Sequence, residues 1–449
     1  GTLDYARISF QHNTLTDDKN LEISLEKWPA EQNIAGRSIT IHPSWFPVKL
    51  THCTGKLHFN DGQFRVINVT AQRENSRVEL AGHGSVLPDQ QWKITLSRFL
   101  VDSLRIDHEL ISTLPPPMRA GIRQLKYRGD LSLDGSCWFR GGDRKPLFAG
   151  WDLLLDIEDG AIEKELKLEH IHGSIRLQGE KNAAGSQCLG HLEIDSLMSR
   201  DVQVSQIRGP LLLDAKQLLL GSQAARGKHD APPQPITANV MGGKAEMDAR
   251  VTFGAELGFA VNLSLSDVSV TRLARSLLDQ KHDVSGKGFA LVRVNGTEAG
   301  LHTLQGTGEL RLREADIYEL PIMARLLNLL SLRPPANTAF TSSDVDFRIQ
   351  GEQIYLDRVD FTGNAVSLKG HGWMDLNRRV NLDFYALVGR QELQFRLLRM
   401  LLAEASKNIL AIQVVGDIGN PQVIKKPLPE LDDTLQRLFP EADARTAER

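Results

Sequence analysis

Alternation of apolar and polar residues with a period of two is the dominant pattern of this chain. It is longest in FAVNLSLSDVSV (259–270), and shorter examples are LHF (57–59), IRLQG (175–179), ARVTF (249–253) and VDFRI (345–349). Gly, Asn and Asp separate these segments. Such alternation places one set of side chains on one face of a strand, as in antiparallel sheets with one apolar face. The chain is therefore predicted to be mainly β.

Helical patterns are few. The segment 104–126 contains Pro115–Pro117 and predicts two short helices around a turn. The segment 271–280 predicts a helix with Thr271 as its N-cap. Apolar periodicity also predicts helices over 320–332, 390–408 and 428–439.

Two pairs of segments resemble each other and indicate an internal duplication of a strand and helix unit. FRVINVTAQRENSRVELAGHG (64–84) aligns with IYLDRVDFTGNAVSLKGHG (354–372), and LSRFLVDSL (96–104) aligns with LSDVSVTRL (265–273). In the first pair the apolar phase slips after Val66 and after Leu356. That slip predicts a β-bulge or a strand break in each copy.

Composition excludes several classes of protein. Hydrophobic residues make up 41% and charged residues 24% of the 449 residues, which is typical of an ordered chain. The net charge of −3 gives no electrostatic reason to bind nucleic acid. No window resembles a membrane span. The chain starts at Gly1 without Met, and we expect it to be a piece of a longer protein.

The sequence Gly-His-Gly occurs twice, at 82–84 and 370–372, and could supply two imidazoles to a metal. No additional ligand lies nearby in sequence, and Lys287 and Thr307 occupy the central place of two further Gly-x-Gly elements. We therefore interpret the glycines as a repeated turn or strand entry with solvated histidines. His170 and His172 share one strand face, which is a weaker indication of zinc than of a surface pair.

No motif for an enzyme is present. The chain has no nucleophile elbow, phosphate-binding loop or zinc-protease helix, and no pair of carboxylates stands out. Cys53, Cys137 and Cys188 have no metal or disulfide spacing and are predicted to be buried thiols. We expect no catalytic residue, no metal and no cofactor.

The ordered set of segments over Pro235–Phe439 resembles the AsmA-like family, which is related to TamB and the bridge-like lipid transfer proteins. The elements are VMGGKAEMDARVTFG, FAVNLSLSDVSVTRLARSLL, VSGKGFALVRVNG, ADIYELP and the tail VVGDIGNPQVIKKPLPELDDTLQRLF. The resemblance implies a long, curved, repeat-built sheet with a groove-like apolar face and a few short capping helices. It also implies a periplasmic or cell-envelope location, with an inner-membrane anchor outside this chain.

The expected division of the chain is a β-repeat region over 1–130, a second over 131–221, a mobile linker over 222–235 and an AsmA-like C-terminal region over 236–449. The resemblance implies non-enzymatic binding or transfer of phospholipid or another acyl-chain lipid. A scaffold for outer-membrane protein assembly and a carbohydrate-active β-solenoid enzyme remain alternatives.

The alternating apolar residues of the repeated segments are the candidate floor for a lipid, although they could equally form a dry core. They are Phe59, Phe64, Val66, Val78, Leu80, Phe253, Phe259, Val261, Leu263, Phe347, Ile349, Ile354, Leu356, Phe361, Val366 and Leu368. The helix predicted over 390–408 caps the sheet or contacts an anionic membrane surface through Arg396, Leu397, Arg399 and Leu401.

Overall fold

The computed structural model describes most of the chain. The described residues are 6–14, 18–25, 39–41, 49–87, 91–113, 119, 126–142, 145–163, 167–183, 185–199, 201–225, 232–278, 285–314, 325–326, 342–363, 366–388 and 409–426. The helices predicted over 390–408 and 428–439 lie outside these ranges, as does 320–332 apart from Arg325 and Leu326.

Strands dominate the described residues. The first fourteen are β1 (Ala6–Asn13), β2 (Asp18–Leu25), β3 (Thr51–Asn60), β4 (Gln63–Arg73), β5 (Ser76–Val86), β6 (Trp92–Leu104), β7 (Tyr127–Gly142), β8 (Lys145–Glu163), β9 (Lys167–Asn182), β10 (Gly185–Ser199), β11 (Val202–Asp214), β12 (Gln217–Leu220), β13 (Ile236–Val240) and β14 (Gly243–Thr252). The other nine are β15 (Gly258–Ser269), β16 (Lys287–Thr297), β17 (Gln305–Arg313), β18 (Ser342–Gln350), β19 (Gln353–Thr362), β20 (Val366–Asp375), β21 (Arg379–Val388), β22 (Ile409–Asp417) and β23 (Asn420–Lys426).

The 23 strands belong to one sheet, and the described pairings between neighbouring strands are antiparallel. The described part of the chain holds two short α-helices, α1 (His108–Thr113) and α2 (Val270–Leu278), and one 3-10 turn, Leu301–Thr303. The prediction of a mainly β, antiparallel fold with a few short helices is therefore confirmed.

The start of α2 differs from the prediction. The helix begins at Val270, so Thr271 lies inside it, and the predicted strand 259–270 ends one residue early. The Arg272 amide donates to the Ser269 hydroxyl at 3.5 Å. Ser269 is therefore the N-cap, because its side-chain oxygen accepts from the N3 amide.

The chain divides into two compact units. Unit 1 comprises Gly1–Ala238 with Asp248–Leu257, and unit 2 comprises Asn239–Met247 with Gly258–Arg449. The division predicted from the sequence, into two β-repeat regions, a linker and a C-terminal region, stays a prediction. Residues 226–231 of the predicted linker lie outside the described ranges, whereas Ala224 just before them is buried.

In unit 1 the strands expose two different faces. Directly opposed residues share a face of an antiparallel sheet, so the registers trace rows across it. One row consists of Phe10, Leu21, Phe59, Phe64, Gly84, Ile94, Phe139 and Ala149. The face carrying this row is called the apolar face of unit 1. The opposite face, called the polar face, carries rows such as Ser132, Asp156, Ser174, Glu193 and Arg208.

Part of the apolar face of unit 1 forms a dry cluster. Its buried members are Leu25, Ile39, Cys53, Ala71, Val78, Val101, Leu104 and Leu131. Arg73 is 5% exposed and forms ion pairs with Asp107, just before α1, and with Glu109 in its first turn. The Leu110 amide donates to Asp107 Oδ1 at 2.8 Å, so Asp107 both caps α1 and neutralises Arg73.

Both predicted bulges are present at the predicted places. The register between β4 and β5 shifts between Val66 and Val69, and that between β19 and β20 shifts between Leu356 and Val359. The second aligned pair also shares a bulge, after Leu96 in β6 and after Leu265 in β15. In each case the strand leads into a short helix and then into the next antiparallel strand, as the alignment predicts.

Candidate functional site

Two neighbouring rows on the apolar face of unit 2 contain no charged side chain. One row contains Leu263, Val292, Gly308, Phe347, Leu356, Gly372, Leu382, Val414 and Val423. The neighbouring row contains Val261, Val294, Gly306, Ile349, Ile354, Met374, Val380, Gly416 and Pro421. Nine of the residues predicted from the sequence as a floor belong to this face: Phe259, Val261, Leu263, Phe347, Ile349, Ile354, Leu356, Phe361 and Leu368.

Burial divides this face into two parts. The predicted residues on β15, β18 and β19, including Leu263, Ile349 and Leu356, are partly buried. Toward β20–β22 the face is dry, and Leu368 and Val414 have no exposed surface. Phe361 stands at the boundary, with its ring centroid 6.0 Å from that of Phe384, which is 1% exposed.

In unit 1 the predicted floor residues are similarly divided. Phe59 and Phe64 are paired across β3 and β4 and are partly buried, as are Val66 and Leu80. Val78 belongs to the dry cluster. Phe253 is partly buried just beyond β14, and its amide donates to the Lys216 carbonyl at 2.6 Å. Val366 lies on β20, but its side chain is not among those that the structure describes.

The Gly-His-Gly elements are not turns. Gly82–Gly84 lie inside β5, and Gly370–Gly372 lie inside β20, so the interpretation as a repeated turn or strand entry is wrong. The glycines face the apolar side of the sheet, and one glycine of each element, Gly84 or Gly370, stands opposite an aromatic residue on the neighbouring strand. A Cβ on Gly84 would overlap the Phe64 ring, and a Cβ on Gly370 would overlap the Phe384 ring.

The same pairing of a glycine with a directly opposed aromatic residue recurs on both apolar faces. The further pairs are Trp92 with Gly141, Trp151 with Gly179, Phe259 with Gly296 and Phe347 with Gly308. An aromatic ring that covers a glycine supplies the apolar surface that glycine lacks. The sequence analysis missed this relationship because the two members come from different strands.

The histidines of these elements point away from the glycines' face. His83 is exposed and stands opposite Arg65 and Thr95, and His371 stands opposite Asp383. No group of three or more His, Cys, Asp or Glu side chains in the described ranges is arranged to hold a metal ion. The two imidazoles belong to different units.

His170 and His172 both interact with Asp159 at an irregular part of β8 and β9. His170 Nδ1 lies 2.8 Å from Asp159 Oδ1, and the Asp159 amide donates to His172 Nδ1 at 3.4 Å. Asp159 and His170 have positive φ, and the register of the two strands shifts there. His170 and His172 therefore contact Asp159 within a bulge at the sheet surface.

All three cysteines are free and buried, as predicted. Burial raises the pKa of the Cys137 thiol to about 11 and also raises that of Cys188. Burial raises the pKa of Cys53 as well, although a hydrogen bond involving the Ile41 backbone opposes it. Cys137 and Cys188 fall on a single apolar row with Val66 and Trp151. These thiols are apolar core groups without nucleophilic character.

The carboxylates of the segment 152–160 stand along β8 rather than at its ends. Asp152 accepts from Arg176 Nε at 3.2 Å, Arg176 Nη2 at 3.0 Å and Gln178 Nε2 at 2.9 Å. Hydrogen bonds from Arg176 and Gln178 lower the pKa of Asp152 below its usual range. It is therefore ionised at neutral pH.

The candidate membrane contacts Arg396, Leu397, Arg399 and Leu401 lie outside the described residues. Among the helices that the structure describes, none has the length and apolarity needed to cross a bilayer. Comparisons of this chain with models of protein families, with curated proteins and with solved structures gave no match.

Proposed function

We propose that this chain binds acyl-chain lipid, phospholipid in the first instance, on the partly buried portions of its apolar faces, and passes it along them without chemical change. The observation that carries the proposal is the pair of rows in unit 2 that begin at Val261 and Leu263. Their side chains from β15 to β19 are apolar and only partly buried, and neither row contains a charge.

An apolar sheet face needs a cover, and in a β-sandwich that cover is a second sheet. All described strands here belong to one sheet, so no second described sheet can serve. A hydrocarbon chain placed on Ile349 and Leu356 would remove their remaining apolar surface from water. Each methylene transferred from water contributes about 0.8 kcal/mol.

The rows also suit movement of the ligand. Apolar side chains and glycines follow each other across the strands, and the Phe347 ring covers Gly308 beside it. A floor without a charged or deeply recessed position offers no single place where an acyl chain binds much more tightly than at the next. Lateral transfer between such places therefore has a low barrier.

The resemblance to the AsmA-like family supports the setting of this proposal. The resemblance implies a location in the periplasm or cell envelope, with an inner-membrane anchor in the full-length protein, and it implies no catalytic residue or cofactor. The proposed role is accordingly transport of lipid between membranes, with binding energy alone selecting the ligand.

A charge placed on the floor tests the proposal. Ile349→Asp and Ile354→Asp alter a directly opposed, partly buried pair on β18 and β19. We expect each variant to remain folded and to lose binding of a pyrene-labelled phosphatidylcholine. Ile424→Asp is the matched control. Ile424 is exposed, and it lies with its directly opposed partner Gln413 on the face of the sheet opposite the apolar face.

Leu368→Asp separates the floor from the core. Leu368 is fully buried, so a carboxylate there should unfold unit 2 rather than only block lipid. If Ile349→Asp also unfolds the protein, the row is ordinary core and the proposal is wrong. Unchanged lipid binding in a folded Ile349→Asp variant would contradict it equally.

A further inference from the structure

The polar face of unit 1 carries an exposed aromatic ring that the apolar faces do not explain. Trp138 lies on β7 between Thr95 of β6 and Gly150 of β8. It is 36% exposed, and its indole covers Gly150, where a Cβ would overlap the ring. The indole therefore lies against the sheet at Gly150 and is partly open to solvent.

A second aromatic ring lies on the same face next to Trp138. Phe148 stands opposite Arg140, and the Arg140 guanidinium carbon is 5.0 Å from the centre of the Phe148 ring. This cation–π contact fixes the arginine beside the indole. Trp138 and Phe148 are together called the aromatic platform.

Hydrogen-bonding groups of fixed orientation adjoin the aromatic platform. Ser136, two residues from Trp138, is directly opposite Asp152, whose two carboxylate oxygens are held by Arg176 and Gln178. A depression of about 420 Å³ is lined by Ser136, Asp152 and Arg176, among others. The network needs no rearrangement to accept a ligand, which reduces the entropy lost on binding.

The charges of this surface offset one another. Arg176 is paired with Asp152, and Arg98, at the rim of the same depression, is paired with Glu79 at 3.1 Å. A surface with balanced, internally paired charges has no complementarity to a polyanion or a polycation. It suits a neutral ligand that offers hydroxyl groups.

We propose that the aromatic platform and the Asp152 network bind a neutral, linear oligosaccharide. The apolar C–H face of one sugar ring stacks on Trp138, as amphipathic partners of aromatic side chains do. Its hydroxyl groups donate to Asp152 and accept from Gln178 and Arg176. Strands lie about 4.8 Å apart, close to the length of one sugar ring, so a chain lying across β6–β9 meets a new strand with each unit. This proposal does not depend on lipid binding.

Isothermal titration with cellohexaose, maltohexaose and chitohexaose tests the proposal on the full chain. We expect at least one of them to bind, and Trp138→Ala to weaken its affinity by about tenfold or more, which corresponds to about 1.4 kcal/mol. Trp138→Phe keeps a ring over Gly150 and should retain most of the affinity. Ile67→Ala, a truncation of an exposed side chain on β4, is the control and should bind as the unaltered protein does.

Thermal unfolding of each variant distinguishes lost contacts from lost fold. If Trp138→Ala unfolds, Gln178→Ala provides the test, because Gln178 is exposed and its loss should weaken sugar binding in a folded protein. Absence of binding to all three sugars at millimolar concentration would overturn the proposal. The proposal would also be overturned if the folded Trp138→Ala variant bound sugar as well as the unaltered protein does. The same holds if that variant keeps its sugar binding and instead loses the binding of a protein partner.

Discussion

Phe64 of β4 and Gly84 of β5 stand directly opposite each other, and the Phe64 ring occupies the space that a side chain at position 84 would need. The Lys93 carbonyl of β6 closes the same space from the other side. The glycine is therefore required by its two neighbouring strands. His83, between the glycines, is on the opposite face and takes no part in this contact.

Gly84→Ala should destabilise unit 1 because the added methyl group overlaps both the ring and the carbonyl. Inserting an atom into a tightly packed place costs about 1–3 kcal/mol. His83→Ala changes an exposed side chain and should alter the free energy of unfolding by less than about 0.5 kcal/mol. Urea unfolding of the two variants measures both values.

Comparing the stability losses of His83→Ala and Gly84→Ala shows whether the imidazole or the glycine holds this element together. A large loss of stability in His83→Ala, with little effect of Gly84→Ala, would mean that the imidazole and not the glycine holds this element together.

Removal of the partner of Arg73 should be costly. Arg73 is 5% exposed, and its Nε and Nη1 atoms are buried without a hydrogen-bond partner, so Asp107 is its principal counter-charge. Asp107→Ala leaves the buried charge of Arg73 with only the more distant Glu109 and should cost about 3 kcal/mol. Glu109→Ala, which removes the more exposed and more distant carboxylate, should cost much less.

Replacing both members of the Arg73 pair checks the physical reason. Arg73→Met combined with Asp107→Leu removes both charges and should recover most of the stability lost in Asp107→Ala. A double variant as unstable as the single one would show that the ion pair is not the source of the effect.

Tyr127 should make the protein less stable above pH 10. Burial, with a smaller contribution from Asp130, raises the pKa of Tyr127 to about 12, whereas an unfolded tyrosine ionises near its usual value of about 10. Unfolding therefore releases a proton between these two pH values, and stability falls as pH rises through that range.

Tyr127→Phe should lessen this loss of stability at high pH. At neutral pH the substitution should be nearly neutral, because the buried hydroxyl makes no hydrogen bond that would be lost. Chemical unfolding at pH 7 and pH 11 measures both effects. An equal decline with pH in the two proteins would exclude Tyr127 as its origin.

The reactivity of the thiols reports on exposure of the dry cluster, which contains Cys53, and of the apolar row that contains Cys137 and Cys188. Cys53, Cys137 and Cys188 are buried, and burial raises the pKa of each. We expect a thiol reagent such as dithionitrobenzoate to react with none of them quickly at pH 8 and with all three after denaturation. Rapid reaction of Cys137 in the native protein would show that its row opens to solvent.

The bulges could be predicted because their cause is local. A strand that carries an extra residue must shift its apolar residues by one position, and that shift is visible after Val66 and after Leu356 in the sequence alone. The mainly β fold could be predicted for the same reason, because the alternation of apolar and polar residues within each strand shows which residues lie on each of its two faces.

The function of the glycines could not be predicted because its cause is not local. Gly-x-Gly in isolation resembles a turn, and only the register shows that Gly84 faces Phe64, or that Gly370 faces Phe384. The degree of burial along the apolar faces could not be predicted for the same reason. Phe361 and Leu368 are equivalent in the sequence pattern and directly opposed in the sheet, yet only Leu368 is fully enclosed.

The most direct test of lipid binding is extraction of the purified chain with organic solvent, followed by mass spectrometry and phosphate analysis. The proposed function predicts phospholipid or another acyl-chain lipid in stoichiometric amount, which is depleted in the folded Ile349→Asp variant and retained in Ile424→Asp. A purified protein free of lipid, which also takes none from mixed phospholipid vesicles, would contradict it.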